Sequence, residues 1–233
     1  MGHYRQYCPI ARATEILGER WTLLVVRNLL MGADTFTTIA RGVPTMSRSV
    51  LVRRLGELTR AGVITTETKP GGGSTYHLTA AGRDLALVVD QLGDWATRWV
   101  EVTHEHTDPG FALWAWCAAQ MDADVLPERR TIVGFTFPQE RPTNRRYWLL
   151  VSDGAAELCY SFPGGPVDVE VVADSAAFVD WNRGARSWPD VLRTGDVVIN
   201  GARDVARALP TWNTHDSGTF SAASAVPADT GRA

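Results

Sequence analysis

The sequence predicts an α+β protein in two parts, an N-terminal winged helix-turn-helix domain followed by an α+β domain with an antiparallel sheet. Two observations carry this. Apolar residues recur at helical spacing through residues 9–61 and are followed at 63–79 by two β-branched segments around Gly71-Gly72-Gly73. From about residue 130 onward, short strand-like runs separated by turns replace that pattern. Helical and alternating periods differ because side chains repeat every 3.6 residues on a helix and every second residue on a strand.

The first helix is expected at 9–17, with Pro9 in its first turn and Gly18 closing it. The second, about Trp21 to Met31, is apolar nearly all round, which places it in the centre of a core. A short third helix covers about Phe36 to Arg41, and the turn Gly42-Val43-Pro44-Thr45-Met46 follows. Ser47 is an N-cap residue for a fourth helix at 47–61, where Leu51, Leu55 and Leu58 share one face and Gly62 stops the chain. Segments 63–70 and 75–79 form a hairpin, the wing. A fifth helix, about 80–102, carries a stripe of Leu85, Val88, Val89, Leu92, Trp95, Ala96 and Trp99, which suits a partner helix and predicts a homodimer. Residues 103–109 read as a linker. Beyond it are expected a helix at 111–121, strands at 131–137, 146–152, 156–162 and 167–172, helices at about 175–183 and 189–193, a strand at 196–200 and a helix at 202–212. Asp153-Gly154 is a hairpin signal. Residues 214–233 are small and polar and are expected to be disordered.

Composition bounds the function. The chain has 233 residues, 45% of them hydrophobic, enough to bury a core. No apolar run approaches the roughly 20 residues of a membrane helix, and the N-terminus lacks a secretory pattern, so a cytoplasmic location with association to the nucleoid is expected. Cys8, Cys117 and Cys159 are too few and scattered for a disulfide framework or a zinc site. Net charge is −3, but it is unevenly spread: residues 1–105 hold 12 bases against 10 acids, and 106–233 hold 11 against 16. Within 41–70, six bases (Arg41, Arg48, Arg53, Arg54, Arg60, Lys69) face two acids, and phosphates would be met there.

A helix enters the major groove by its N-terminal half. On helix 47–60 the leucines mark the buried side, which leaves Ser47, Arg48, Ser49, Val52 and Arg53 in reading positions. Arginine bonds guanine bidentately, serine bonds base or phosphate, and valine touches a thymine methyl. Lys69 and Ser74 on the 69–75 wing are candidates for backbone contacts. Any one of these arginines alone is better read as solvated; their coincidence with a turn, an N-cap and a wing points to double-stranded operator DNA.

The run Cys8-Pro9-Ile10, then Gly18-Glu19-Arg20-Trp21-Thr22-Leu23-Leu24 with Arg27 and Leu30, resembles the opening of the HxlR family. So do Met46-Ser47-Arg48 with Leu51, Arg54, Leu55 and Leu58, then Ala61-Gly62-Val63-Ile64, and Tyr76, Leu78, Thr79 and Gly82. The resemblance covers residues 8–99 and implies a dimeric winged-helix regulator joined through the first and last helices of domain 1–103. In some members a cysteine at the place of Cys8 senses electrophiles or oxidants; the other reading of Cys8 is a small residue packed at the dimer interface.

Residues 110–213 are looser. Strands 146–152 and 156–162, Pro163-Gly164-Gly165, Val167-Asp168-Val169, Ala173-Asp174 and the run Asp196 to Gly201 resemble the sterol carrier protein type 2 fold. That resemblance implies a five-stranded sheet covered by helices, with an apolar cavity. Trp114, Trp148, Trp181 and Trp188 are the candidate lining for a small apolar effector, although each taken singly suits an ordinary core. No catalytic residues, metal site or cofactor are expected. His104-Glu105-His106 reads as a solvated linker, the three glycines lack the Lys-Ser/Thr of a phosphate loop, and Ser161 sits in a turn. The expected function is a sequence-specific, ligand-controlled transcriptional regulator. The alternative is a small-molecule or lipid-binding protein whose winged module mainly dimerises it.

Overall fold

The computed structural model describes residues 4–103 and 106–214. These divide into two compact units, one ending at Val100 and the other beginning at Glu101. The disordered tail expected from 214 onward lies, apart from Thr214, outside the described residues.

The first unit runs α1 (Pro9–Leu17), α2 (Thr22–Leu30), α3 (Phe36–Arg41), α4 (Arg48–Arg60), β1 (Ile64–Thr68), β2 (Ser74–Leu78) and α5 (Ala80–Trp99). Helix α2 packs against α3, α4, β2 and α5. Val25 and Val26 are fully buried within it, and Ile39, Leu51, Leu55, Leu58 and Ile64 complete the core. Two polar residues of α2 tie down the helix-turn-helix. Asn28 donates from Nδ2 to the Ile39 carbonyl at 2.8 Å, and Arg27 donates to the Gly42 carbonyl at 2.8 Å. Burial lowers the Arg27 pKa to about 10. A Cβ on Gly42 would lie 2.5 Å from the Asn28 amide, so this turn requires glycine. Helix α3 opens with a reciprocal cap between Thr35 and Thr38.

The expected elements of this unit are present. Helix α5 is shorter than the predicted 80–102: Val100 turns extended (φ −113°, ψ 117°).

The second unit comprises α6 (Pro109–Ala115), a π-helical turn at Trp116–Gln120, β3 (Thr131–Thr136), β4 (Arg146–Ser152), β5 (Ala155–Cys159), β6 (Val169–Ala173), α7 (Ser175–Asn182), α8 (Trp188–Arg193), β7 (Val197–Gly201), α9 (Arg203–Ala208) and a closing 3-10 turn at Leu209–Trp212. The strand order is β5-β4-β3-β6-β7. The sheet corrects the antiparallel expectation: β3 and β6 are parallel, and the other three pairings are antiparallel. The β3-β4-β5 meander uses one edge of β3, and the chain then crosses back through 160–168 to add β6 on the other. Gly164 and Gly165, both left-handed (φ 77° and 99°), turn that crossing. The helix expected at 111–121 begins two residues earlier because Asp108 caps it, accepting the Phe111 N–H at 2.9 Å.

One face of the sheet carries Val133, Phe135, Tyr147, Leu149, Val151, Val169 and Val171, all buried. Trp116, Phe178, Trp181 and Trp212 cover it, each no more than 1% exposed. The rings of Trp116 and Phe178 meet Phe135 with centroids 6.3 and 5.6 Å away. Asp168 holds the lead-in to β6: its Oδ2 accepts the Ile132 N–H and its Oδ1 the Arg129 guanidinium, both at 2.9 Å.

Burial pushes the Asp168 carboxyl up, but those two donors outweigh it and its pKa lies below the ordinary value. Its contribution to stability is therefore complete above about pH 3.9 and is lost as pH falls through the lower folded value. Asp168→Ala leaves the buried Ile132 N–H unpaired and should cost about 1–3 kcal/mol, read by chemical denaturation of the second unit. The difference from wild type should shrink at pH below the folded pKa.

Candidate nucleic-acid interface

Helix α4 is split cleanly by its own period. Leu51, Leu55 and Leu58 are 1–2% exposed against the core. Ser47, Arg48, Ser49, Val52 and Arg53 are exposed together at its N-terminal end. Ser47 caps the helix, its Oγ accepting the Val50 N–H at 3.4 Å and lying 3.2 Å from Ser49 Oγ. The Arg48 guanidinium lies over the Phe36 ring of α3 at 4.8 Å, so its stem is steadied while its donors remain exposed.

The wing is the β1–β2 hairpin, paired from Ile64↔Leu78 to Thr68↔Ser74. At its tip Gly72 and Gly73 adopt φ 86° and 84°, open to glycine at no steric cost. Lys69 is exposed there, and Ser74 is half-buried. Thr59 Oγ1 lies 3.2 Å from Thr66 Oγ1 and links the end of α4 to the wing.

The basic window is smaller than its count of arginines. Arg54 is 4% exposed, ion-paired to Glu19 at 2.7 Å and to Glu57, and donates from Nε to the Arg20 carbonyl at 3.2 Å. Arg41 is half-buried. Arg48, Arg53, Arg60 and Lys69 remain as exposed bases in the window. The signal for Arg54 was in the helical period: it stands three residues after Leu51 and four before Leu58, on the flank of the buried face.

A second surface is apolar. Ile10, Leu17, Leu87, Val88, Leu92 and Trp95 line a groove of about 740 Å³ between α1 and α5. Leu87, Trp95 and Trp99 are 74%, 57% and 70% exposed, far more than a lone domain leaves open. Cys8 is the half-buried N-cap of α1.

The four candidate tryptophans do not come together. Trp181 and Trp188 are neighbours, with ring centroids 4.7 Å apart. Trp114 is buried and packs on Phe111. Trp148 stands on the opposite face of the sheet, against Phe162 and beneath Arg146. The thiol of Cys117 is pushed far up by burial and by the nearby Cys159, which keeps it protonated. Among the described residues no group of three or more His, Cys, Asp or Glu is placed to hold a metal; His104 and Glu105 lie outside them. No described helix is long and apolar enough to cross a membrane.

The HxlR-like helix-turn-helix family model matches residues 16–104. An uncharacterised HTH-type transcriptional regulator of Bacillus subtilis, YvaP, is 35% identical over 99 residues, which is 41% of this chain and 92% of that protein. The chain belongs to the HxlR-like family. A second HTH-type regulator, from Mycobacterium tuberculosis, is 32% identical over 134 residues, 51% of this HxlR-like chain and 84% of its own length. Among solved structures, the reduced form of the B. subtilis transcriptional regulator YodB is 29% identical and covers 41% of this chain and 97% of its own, with a TM-score of 0.37.

Proposed function

We propose that this chain is a dimeric, sequence-specific DNA-binding transcriptional regulator that reads operator DNA with the N-terminal half of α4. The observation that carries the reading is the exposure of Arg48, Ser49, Val52 and Arg53 on one end of a capped helix whose opposite face is locked in the core. Arg48 and Arg53 supply guanine-reading donors, Ser47 and Ser49 hydroxyls, and Lys69 and Ser74 on the wing contacts to the backbone. The names of the relatives, HTH-type transcriptional regulators, support it. Residues 1–103 form the DNA-binding and dimerisation domain in this reading, and 110–213 the effector domain.

A duplex selected by the full chain from a random-sequence pool provides the test. Changing Arg48 and Arg53 to Ala should abolish binding to that duplex in a chain that keeps its fold and oligomeric state, at about 1–3 kcal/mol per lost bidentate contact. Unchanged affinity would remove α4 as the reading helix.

Dimerisation is assigned to the α1/α5 groove, because a second copy would bury the exposed Leu92 and Trp95. Changing both to Asp should give a monomer in sedimentation equilibrium; a dimer would place the interface elsewhere.

Control by a ligand in the second unit rests on a local observation. Asn182 Nδ2 and Trp212 Nε1 are buried in the aromatic core without a hydrogen-bond partner, and a bound molecule carrying an acceptor would satisfy them. Anilinonaphthalene sulfonate, an apolar probe with an acceptor head, should bind saturably and shift operator affinity at least about twofold. Asn182→Ala should weaken that binding. Binding indifferent to Asn182 would rule this site out. Cys8, the half-buried N-cap of α1 and a free thiol, is the candidate for oxidant sensing; a Cys8→Ser chain that still loses the operator on treatment with diamide would exclude it.

A further inference from the structure

Helix α4 is gripped by a charge that is withdrawn from solvent. Arg54 projects from α4 into the turn between α1 and α2 and is 4% exposed. Its three contacts come from Glu19, from the Arg20 carbonyl and from Glu57 one turn further along α4. The turn that receives it is unusual. Trp21 has a left-handed backbone, φ 81°, which a bulky residue adopts only where its surroundings hold it. The Arg20 guanidinium lies over the Trp21 ring at 4.9 Å. On its other side the same turn begins at Gly18, which, with Leu17, lines the apolar groove between α1 and α5.

We propose that Glu19 and Arg54 are positioning residues for DNA reading: through them the Gly18–Trp21 turn sets the seating of α4, and with it the presentation of Arg48 and Arg53. This rests on the DNA-binding role of α4. Leucines alone leave a helix free to slide or roll by small amounts, since apolar contact is non-directional. A buried guanidinium held by two carboxylates and a carbonyl has one satisfactory geometry, because its donors lie in a fixed fork. The clamp therefore supplies the direction that the leucine face lacks. Glu19 and the Arg20 carbonyl belong to the turn and not to α4, so a displacement of the α1 end of the groove is passed to α4 through them, and Glu19 is the one that a side-chain substitution can remove.

The test exploits a conflict of sign. Glu19→Gln removes a negative charge from a DNA-binding unit, and long-range electrostatics alone would tighten phosphate binding. If Glu19 positions α4, the same change weakens binding to the duplex selected by the wild-type full chain, by about tenfold. The slope of log affinity against log salt should stay at the wild-type value, because no phosphate contact is lost. Equal or tighter binding by Glu19→Gln, or a reduced salt slope, overturns the inference while leaving α4 as the reading helix. Should Glu19→Gln fail to fold, Glu19→Asp keeps the charge and withdraws it by one methylene; weaker binding supports the clamp and unchanged binding overturns it. A wild-type chain that selects no duplex overturns the DNA-binding reading and this inference together.

Discussion

The first unit depends on the burial of α2. A helix that is apolar nearly all round has no side to offer water, so other elements must close over it. Helices α3, α4 and α5 and strand β2 all pack on it. Once α4 has given its leucine face to that core, its remaining face is turned outward, and the exposed serines, valine and arginines follow without further choice. The polar contacts add direction. Asn28 and Arg27 fasten the α3–α4 turn from beneath, and Arg54 fastens α4 to the turn before α2.

This arrangement separates two kinds of arginine that look alike in composition. Arg48 and Arg53 stand in solvent, where a guanidinium keeps its hydration and can exchange it for a base edge or phosphate. Arg54 is buried and Arg27 half-buried, where an unsatisfied charge would be costly, and each is supplied with oxygen acceptors. The weak overall charge of −3 is consistent with a basic reading surface, since the acidic excess lies after residue 105.

The second unit is built on a different constraint. Its central strand β3 is buried along nearly its whole length, as suits a strand with neighbours on both edges and aromatic rings above it. The crossing from β5 to β6 makes one pair parallel, and Asp168 anchors the returning chain to Ile132 before the new strand begins. With Trp181 beneath the helices and Trp148 on the far face, the tryptophans divide between two surfaces of one sheet. A shared residue type did not mean a shared site.

What the sequence by itself determined is the set of local decisions. Helical period, the cap at Ser47, the glycine tip of the wing and the outward face of α4 are properties of neighbouring residues, and local chemistry settles them. The tertiary structure alone decided what distant residues do to one another. The pairing of Glu19 with Arg54 spans 35 positions, and the parallel register of Val133 with Val169 spans 36, so neither leaves a periodic trace in the chain. Arg54 read as one more base in a basic window, because the period gave its flank on the helix but not the carboxylates that close around it. Glu57 stands one turn away on the same helix, but Glu19 arrives from another part of the chain, and only packing brings it there.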